Sequence, residues 1–232
     1  MATIKEVLRR MEYPKITDLF DLKQTIAAPY LCRFTYPHEA LAELASYIRA
    51  LGATLPADRY TRVGDDVWIE VSAKVHPSAV IGGPTIICAG AEVRPSAYIR
   101  GSAIVGEGAV VGNSTELKNA ILFNSVQVPH FNYVGDSIYG YRAHTGAGAI
   151  ASNMRSDKKN VTVRAGDERV ETGLRKLGAM LGDYAEVGCN SVLCPGCVVG
   201  RNSIVYPLTR VRGVIPPHSI VKGDGTVVPM HE

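Results

Sequence analysis

The chain has 232 residues, of which 46% are hydrophobic and 20% charged, and this composition excludes a disordered protein and allows one well-buried core. The formal net charge is only +3 and no basic arm is present, which disfavours a nucleic-acid partner. No apolar run has the length of a signal peptide or a membrane span, so we expect a cytoplasmic protein with no membrane partner.

Residues 1–62 are predicted to form a helical N-terminal cap. Apolar residues recur at helical spacing in three groups: Ile4, Val7, Leu8 and Met11; Ile16, Leu19 and Phe20; and Leu41, Leu44, Ile48 and Leu51. The last helix is expected to begin at Pro37 and end at Gly52. We expect the helices to cover the open end of the following domain, because an uncovered strand edge invites aggregation. Docking of a partner is the alternative.

From Val63 onward an aliphatic residue recurs at every sixth position. The series runs to Leu117, stops, and resumes from Leu181 to Val211, and the residue four places further on is usually small. Six residues equal three strand periods, so two side chains per unit can point inward before the chain turns. The pattern predicts a mainly β fold, a parallel β-helix of short stacked strands over residues 63–232.

Five cysteines allow two interpretations. Cys189, Cys194 and Cys197 have the C-x4-C-x2-C spacing found in part of one iron–sulfur motif, but the fourth ligand is missing nearby. The repeat also places the three on different sides of the strand lattice. We therefore expect reduced, structural thiols and no metal.

Residues 113–159 hold polar groups that the interrupted repeat does not explain. His130 stands out, because an imidazole can accept a proton from a nucleophile near neutral pH. Residues 153–177 are strongly charged, so we predict a projecting loop rather than part of the wall. It is either a solvated loop or a loop that reaches a neighbouring subunit or an anionic ligand.

Two runs in this region carry a family resemblance. The runs are Pro129-His-Phe-Asn-Tyr-Val-Gly-Asp-Ser137 and Gly146-Ala-Gly-Ala-Ile150, and Arg175-Lys-Leu-Gly-Ala179 extends the match. Together with the six-residue period they resemble the hexapeptide-repeat acyltransferases, in particular the acetyltransferase domain of the bifunctional sugar-1-phosphate nucleotidyltransferases that make UDP-N-acetylglucosamine. The resemblance implies a left-handed β-helix, a homotrimer with sites between subunits, and acetyl-CoA as co-substrate.

The resemblance also implies roles for single residues. His130 matches the general base of the family. The remaining matched positions are Arg100, Glu116, Lys118, Tyr133, His144 and Lys159 on the sugar-phosphate side, and Ala147, Asn153, Cys189 and Pro207 on the coenzyme side.

The sequence departs from the family pattern at several places. His144 stands where the family has an asparagine, and Met154 follows Asn153 where bacterial members have a tyrosine. We find no basic tail of the kind that helps to hold coenzyme A, and residues 1–62 are too short for a nucleotidyltransferase. We therefore expect no nucleotidyl transfer from this chain alone.

The favoured hypothesis is transfer of an acetyl group from acetyl-CoA to the amine of an amino-sugar phosphate. The alternative is a sugar-phosphate-binding or regulatory β-helix, or a subunit that works with a separate nucleotidyltransferase. A zinc enzyme of the γ-carbonic anhydrase type is disfavoured, because the spacings of His76, His130 and His144 do not match its three histidine ligands.

Overall fold

The computed structural model describes residue 6 and residues 11–230. The chain forms a left-handed parallel β-helix, as the six-residue period and the family resemblance predicted. Each turn contributes one strand to each of three faces, so the solenoid is a triangular prism. The predicted helix around Ile4, Val7 and Leu8 lies outside the described residues. None of the described helices is long and apolar enough to cross a membrane.

The three faces are named here by what covers them. The covered face contains β2 (Val67–Glu70), β5 (Thr85–Ile87), β8 (Ala103–Val105), the end of β10 (Glu116–Leu122), the end of β12 (Tyr133–Tyr139), β17 (Ala179–Leu181), β20 (Cys197–Val199) and β23 (Val214–Ile215). The second face contains β3 (Lys74–Val75), β6 (Glu92–Val93), β9 (Val110–Asn113), β11 (Gln127–His130), β13 (His144–Thr145), β18 (Glu186–Val187), β21 (Ile204–Val205), β24 (Ser219–Val221) and the antiparallel β25 (Val227–Pro229).

The open face carries most of the predicted substrate residues. It contains β4 (Val80–Ile81), β7 (Tyr98–Ile99), the start of β10, the start of β12, β14 (Ile150–Ala151), β19 (Val192–Leu193) and β22 (Arg210–Val211). A short strand β1 (Tyr60–Arg62) pairs antiparallel with β2 at the start of the solenoid.

The interior follows the predicted repeat. From the second turn onward the aliphatic positions of both series are buried, for example Ile99, Val105 and Leu193. Their small partners, such as Ala91, Ala109 and Ser191, are also fully buried. Both side chains of each unit point inward, as the period of six requires.

The break in the repeat after Leu117 has a simple geometric cause. Val105 pairs with Leu122, seventeen residues later, whereas Ile87 pairs with Val105, eighteen residues later. One residue is missing from a corner in each of two successive turns, so the strands on either side join into β10 and β12, of seven residues each. The turns at these shortened corners use Asn119 and Asp136 in the left-handed backbone region.

The N-terminal helices lie along one side of the prism and not across its open end. They are α1 (Ile16–Leu19), α2 (Ala28–Leu31) and α3 (Leu44–Gly52), with short 3-10 helices at Leu22–Gln24 and Pro37–Leu41. The predicted helix from Pro37 to Gly52 is thus divided into two segments. Phe20 packs on Phe123 with ring centroids 5.1 Å apart, and the amide nitrogen of Asp21 donates to the Asp183 carboxylate.

The predicted end cap was wrong, because the six-residue period describes only the inward positions. The outward positions of the covered face are also apolar, and they pair in one continuous column: Trp68, Ile86, Ile104, Ile121, Ile138, Met180, Val198 and Val214. A sheet buried on both sides reads as a continuous hydrophobic run. The helices bury this column, and Gly52 lies so close to the Trp68 ring that a Cβ atom would collide with it.

The charged insertion forms a hairpin on the solenoid wall. Its strands are β15 (Thr162–Ala165) and β16 (Glu168–Glu171), paired antiparallel. Val161, Val163 and Ala165 are buried and hold the hairpin on the wall, whereas Arg164, between them in the strand, is only half-buried. The predicted projecting element is therefore present, but it packs on its own chain.

Candidate functional site

Most of the predicted substrate residues lie on the open face or at its edge. The Lys118 edge, between the open and covered faces, is the aligned column Arg100, Lys118, Gly135, Ser152, Cys194 and Arg212. Arg100 donates to the Glu116 carboxylate at 3.0 Å, and both side chains are partly exposed. The Lys118 ammonium donates to Asp136 at 2.8 Å.

Asp136 is the hub of this polar cluster, although it was not among the predicted site residues. Its carboxylate is buried and accepts hydrogen bonds from Lys118, from Asn119 at 2.9 Å and from Asn153 at 2.6 Å. Because the shortened corner turns at Asp136, its side chain points into the cluster. The position of Asp136 at the break in the repeat was the signal available in the sequence.

Tyr133 and Asn153 complete the cluster above Gly135. The Asn153 amide donates to the Tyr133 hydroxyl oxygen at 3.0 Å, so the Tyr133 hydroxyl proton stays available to a ligand. Burial raises the pKa of Tyr133, against the opposing effect of the Asn153 hydrogen bond. A Cβ atom on Gly135 would lie 2.5 Å from the Tyr133 hydroxyl, so glycine is required for this arrangement.

The cluster is balanced in charge within one chain. Arg100 is paired with Glu116 and Lys118 with Asp136, so the two predicted phosphate-binding cations already have carboxylate partners. The Lys118 ammonium keeps further donors for a ligand. A cavity of about 490 Å³ beside Asp136 is also lined by the exposed Arg175 and Lys176, which add positive charge.

His130 lies on the opposite edge of the open face together with three of the four predicted coenzyme residues. We name this edge, where the second face meets the open face, the His130 edge. It is the aligned column Asn113, His130, Ala147, Cys189 and Pro207. The alignment follows from hydrogen bonds between successive turns, such as Gly148 N to His130 O at 3.1 Å and Asn190 N to Ala147 O at 2.8 Å. Asn153, the fourth predicted coenzyme residue, belongs instead to the Asp136 cluster.

The backbone around His130 is held from inside the prism. The buried Asn132 accepts from the His130 amide nitrogen at 3.1 Å and donates to Gly146 O at 2.8 Å. The imidazole of His130 is exposed and makes no hydrogen bond within the part of the chain that the structure describes. The amide N–H of Ala147, one turn away, is likewise unpaired among the described residues.

Two predicted substrate residues lie outside the cluster. His144 is on the second face, where its Nδ1 lies 2.7 Å from the Glu186 carboxylate. Lys159 is exposed in the loop before the hairpin, and its amide nitrogen donates to Asp157. Neither contacts Arg100, Lys118 or Tyr133 within this chain.

The cysteines are free thiols in separate places. Cys189 is exposed on the His130 edge, Cys194 is half-buried on the Lys118 edge and Cys197 is buried in the covered face. Within residues 11–230, no three His, Cys, Asp or Glu side chains come together as metal ligands would.

Comparison with known proteins gives several relatives, although no family model matches the chain. The chain is 36% identical over 96 residues to a bifunctional sugar-1-phosphate nucleotidylyltransferase/acetyltransferase of Sulfurisphaera tokodaii, which is 41% of this chain and 24% of the relative. It is 41% identical over 118 residues to the bifunctional protein GlmU of Methanococcus maripaludis, which is 50% of this chain and 28% of the relative.

A third relative matches over a longer share of its own length. It is the uncharacterized acetyltransferase YaiX of Escherichia coli, 31% identical over 151 residues, or 65% of this chain and 66% of the relative. Over these stretches the chain is a homologue of the two bifunctional nucleotidylyltransferase/acetyltransferases and of YaiX. The part of each bifunctional relative that this chain matches is only about a quarter of that relative's length.

Solved structures with similar coils give weak superpositions. The acetyltransferase domain of PglB from Neisseria gonorrhoeae, solved with acetyl coenzyme A, is 18% identical, with a TM-score of 0.34 over 71% of this chain and 58% of the PglB chain. WeeI from Acinetobacter baumannii is 14% identical, with a TM-score of 0.39 over 80% of this chain and 68% of WeeI. The assignment therefore rests on the sequence relatives and on the fold itself.

Proposed function

We propose that the chain transfers an acetyl group from acetyl-CoA to the amine of an amino-sugar phosphate, with His130 as general base. The observation that carries the proposal is the His130 edge, where the exposed imidazole and the free Ala147 N–H lie one turn apart. Successive turns are separated by about 4.8 Å. A base and an oxyanion donor thus stand on the same edge.

The roles follow from the chemistry of acyl transfer. The amine nitrogen forms a bond to the thioester carbonyl carbon and loses a proton, which His130 accepts. The carbonyl oxygen becomes an oxyanion that the Ala147 N–H can stabilise. When the carbon–sulfur bond breaks, the leaving thiolate takes up a proton and appears as free thiol.

The donors of the oxyanion hydrogen bond are fewer than the glycine-rich turn suggests. Gly146 N donates to Val187 O and Gly148 N donates to His130 O, so only the Ala147 N–H of this turn is available. The Asn153 amide belongs to the Asp136 cluster on the opposite edge. We therefore assign the oxyanion contact to Ala147 rather than to Asn153 or the glycines.

A homotrimer follows as part of the proposal. His130 ends β11 and Gly135 lies in β12, so the two residues stand on opposite edges of the open face. A neighbouring copy that lays its His130 edge against the open face would bring a base and a phosphate-binding cluster to one groove. His144 and Lys159, which lie away from the cluster, could then act across the same groove.

The test is release of free thiol. Purified protein with acetyl-CoA and glucosamine 1-phosphate is expected to release thiol, and His130→Ala is expected to lower kcat/KM by about a hundredfold or more. His76→Ala, at another exposed histidine, is the matched control and should keep full activity. The proposal is wrong if no amino-sugar phosphate supports thiol release or if the two variants behave alike.

A binding module is the second candidate, and one observation favours it. Within the described residues no partner orients the His130 imidazole, whereas general bases are usually fixed by a further hydrogen bond. Such a module would bind a sugar phosphate without turnover, alone or beside a separate nucleotidyltransferase. Calorimetry that detects sugar-phosphate binding in the absence of thiol release would favour this candidate.

A further inference from the structure

A second cavity on the open face is formed by the hairpin and the solenoid wall. Its volume is about 450 Å³, and three arginines line it: Arg155 from the loop before the hairpin, Arg164 from β15 and Arg212 from the Lys118 edge. The remaining wall includes Val192 and the half-buried Cys194. None of these arginines was among the predicted site residues.

The cavity carries an excess of positive charge. Its one carboxylate, Asp157, is bound by Arg155 through two hydrogen bonds, of 2.6 and 2.9 Å. The guanidinium groups of Arg164 and Arg212 form no ion pair or hydrogen bond within the described residues. This differs from the Asp136 cluster, where Arg100 and Lys118 each have a carboxylate partner.

The chain holds these cations together against their repulsion. Arg212 is the largest cause of a lowered pKa at Arg164, followed by partial burial and by Arg169. Arg169 lies directly opposite Arg164 in the hairpin, an arrangement of like charges that weakens strand pairing. The negative charge of Glu171, which interacts with Arg155, partly offsets the repulsion among these arginines.

The arrangement is rigid because the hairpin packs closely on the wall. Gly213 has a φ of +79°, and a Cβ atom there would lie 2.9 Å from the Arg164 carbonyl oxygen. A Cβ atom on Gly196 would lie 2.9 Å from the Val161 side chain. The backbone of Arg164 is therefore held against the wall next to Arg212.

We propose that the cavity between the hairpin and the wall binds a phosphate group, as a phosphate ester or diphosphate, with Arg164 and Arg212 as its ligands. Guanidinium groups bind phosphate oxygens through paired charge-assisted hydrogen bonds. A bound phosphate also removes the repulsion between the two arginines. The cavity does not depend on the proposed acetyl transfer. The identity of the substrate that carries the phosphate, by contrast, rests on the proposed acetyl transfer.

Calorimetry with inorganic diphosphate tests the site directly. We expect binding to the full chain, about tenfold weaker binding to Arg164→Gln and to Arg212→Gln, and unchanged binding to Arg33→Gln. Arg33 is an exposed arginine of the N-terminal region, paired with Glu43, so this control removes the same charge far from the cavity. Thermal unfolding adds a second readout, since Arg164→Gln should raise Tm without ligand, whereas loss of a structural arginine would lower it.

Two further probes identify the source of the phosphate. Weaker binding of coenzyme A but not of glucosamine 1-phosphate to both variants assigns the phosphate to the coenzyme, and the reverse assigns it to the sugar. If the Arg164→Gln/Arg212→Gln double variant binds all three probes as the natural chain does, or if Arg33→Gln weakens them equally, the proposal is wrong. If the protein binds diphosphate through Arg164 but releases no thiol, the phosphate-site proposal stands and the acetyl-transfer proposal is wrong.

Discussion

Tyr13 and His38 form a buried pair among the helices of the covered face. The Tyr13 hydroxyl lies 3.0 Å from Nδ1 of His38, and both side chains are almost fully buried. Burial raises the pKa of Tyr13, so its hydroxyl stays protonated and can donate to a neutral imidazole. Burial lowers the pKa of His38, and the neighbouring Glu39 only partly opposes this effect.

The stability of the fold should therefore depend on the charge of His38. The folded chain keeps the imidazole neutral, whereas the unfolded chain takes up a proton as the pH falls below about 6.5. This contribution to stability is present above that pH and is lost as the pH falls towards the lower folded pKa. We expect an added slope of at most about 1.4 kcal/mol per pH unit.

Urea unfolding between pH 7.5 and 5.0 measures this slope. His38→Gln should unfold with a weaker pH dependence than the natural chain. His76→Gln, at an exposed histidine bonded to Ser78, should keep the natural slope. Equal slopes in all three proteins would show that His38 is not responsible.

At the scale of the elements, the turns stack so closely that several corners leave no room for a side chain. Gly112 lies directly against the Pro129 backbone of the next turn, and a Cβ atom there would overlap its carbonyl group. The flanking pairs, Val111 with Val128 and Asn113 with His130, hold the two strands in this register. The clash is with backbone, so it cannot be relieved by a side-chain rotation.

Gly112→Ala should therefore destabilise the solenoid next to His130. We expect a loss of about 2–3 kcal/mol in the free energy of unfolding, since the strands must separate to accept the methyl group. Gly223→Ala is the matched control, because no atom lies within 4 Å of a Cβ there, and it should change stability by about 0.5 kcal/mol or less. Denaturant unfolding followed by circular dichroism compares the two, and equal stabilities would contradict the expected clash.

At the scale of the whole molecule, the His130 edge exposes large apolar side chains to solvent, on a backbone conformation that such residues seldom adopt. Phe131 is 61% exposed and Leu208 is 77% exposed, and both have a positive φ that bulky residues seldom adopt. They stand beside His130 and Pro207 along the same edge. An apolar edge of this kind is typical of a surface that another copy covers, which supports the proposed homotrimer.

Assembly can be measured by sedimentation. We expect the natural chain to sediment as a trimer at micromolar concentration. Phe131→Glu should sediment as a monomer, because a carboxylate would be buried between the subunits. Val71→Glu changes an equally exposed apolar residue outside this edge and should leave the mass unchanged. A monomeric natural chain, or a Phe131→Glu trimer, would contradict this arrangement.

The sequence alone was sufficient for the solenoid and for the presence of an insertion at residues 153–177. A period of six over sixteen units fixes which side chains point inward, because strand geometry and spacing between turns leave little freedom. His130, Ala147, Cys189 and Pro207 each fall at the corner of a different turn, but the shifted register between Leu117 and Leu181 hides that these corners form one edge. The resemblance proposed roles for these residues, and those roles stay predictions.

Only the tertiary structure decided where the helices pack and how the charges are shared. The outward apolar side chains from Trp68 to Val214 form one column, and so a surface for the helices, only once the turns are stacked. Asp136 neutralises Lys118 of the preceding turn, and Arg164 meets Arg212 only because the hairpin folds back on the wall. These contacts join residues on different turns or in the hairpin, and the six-residue period does not specify the register between turns once a corner is shortened.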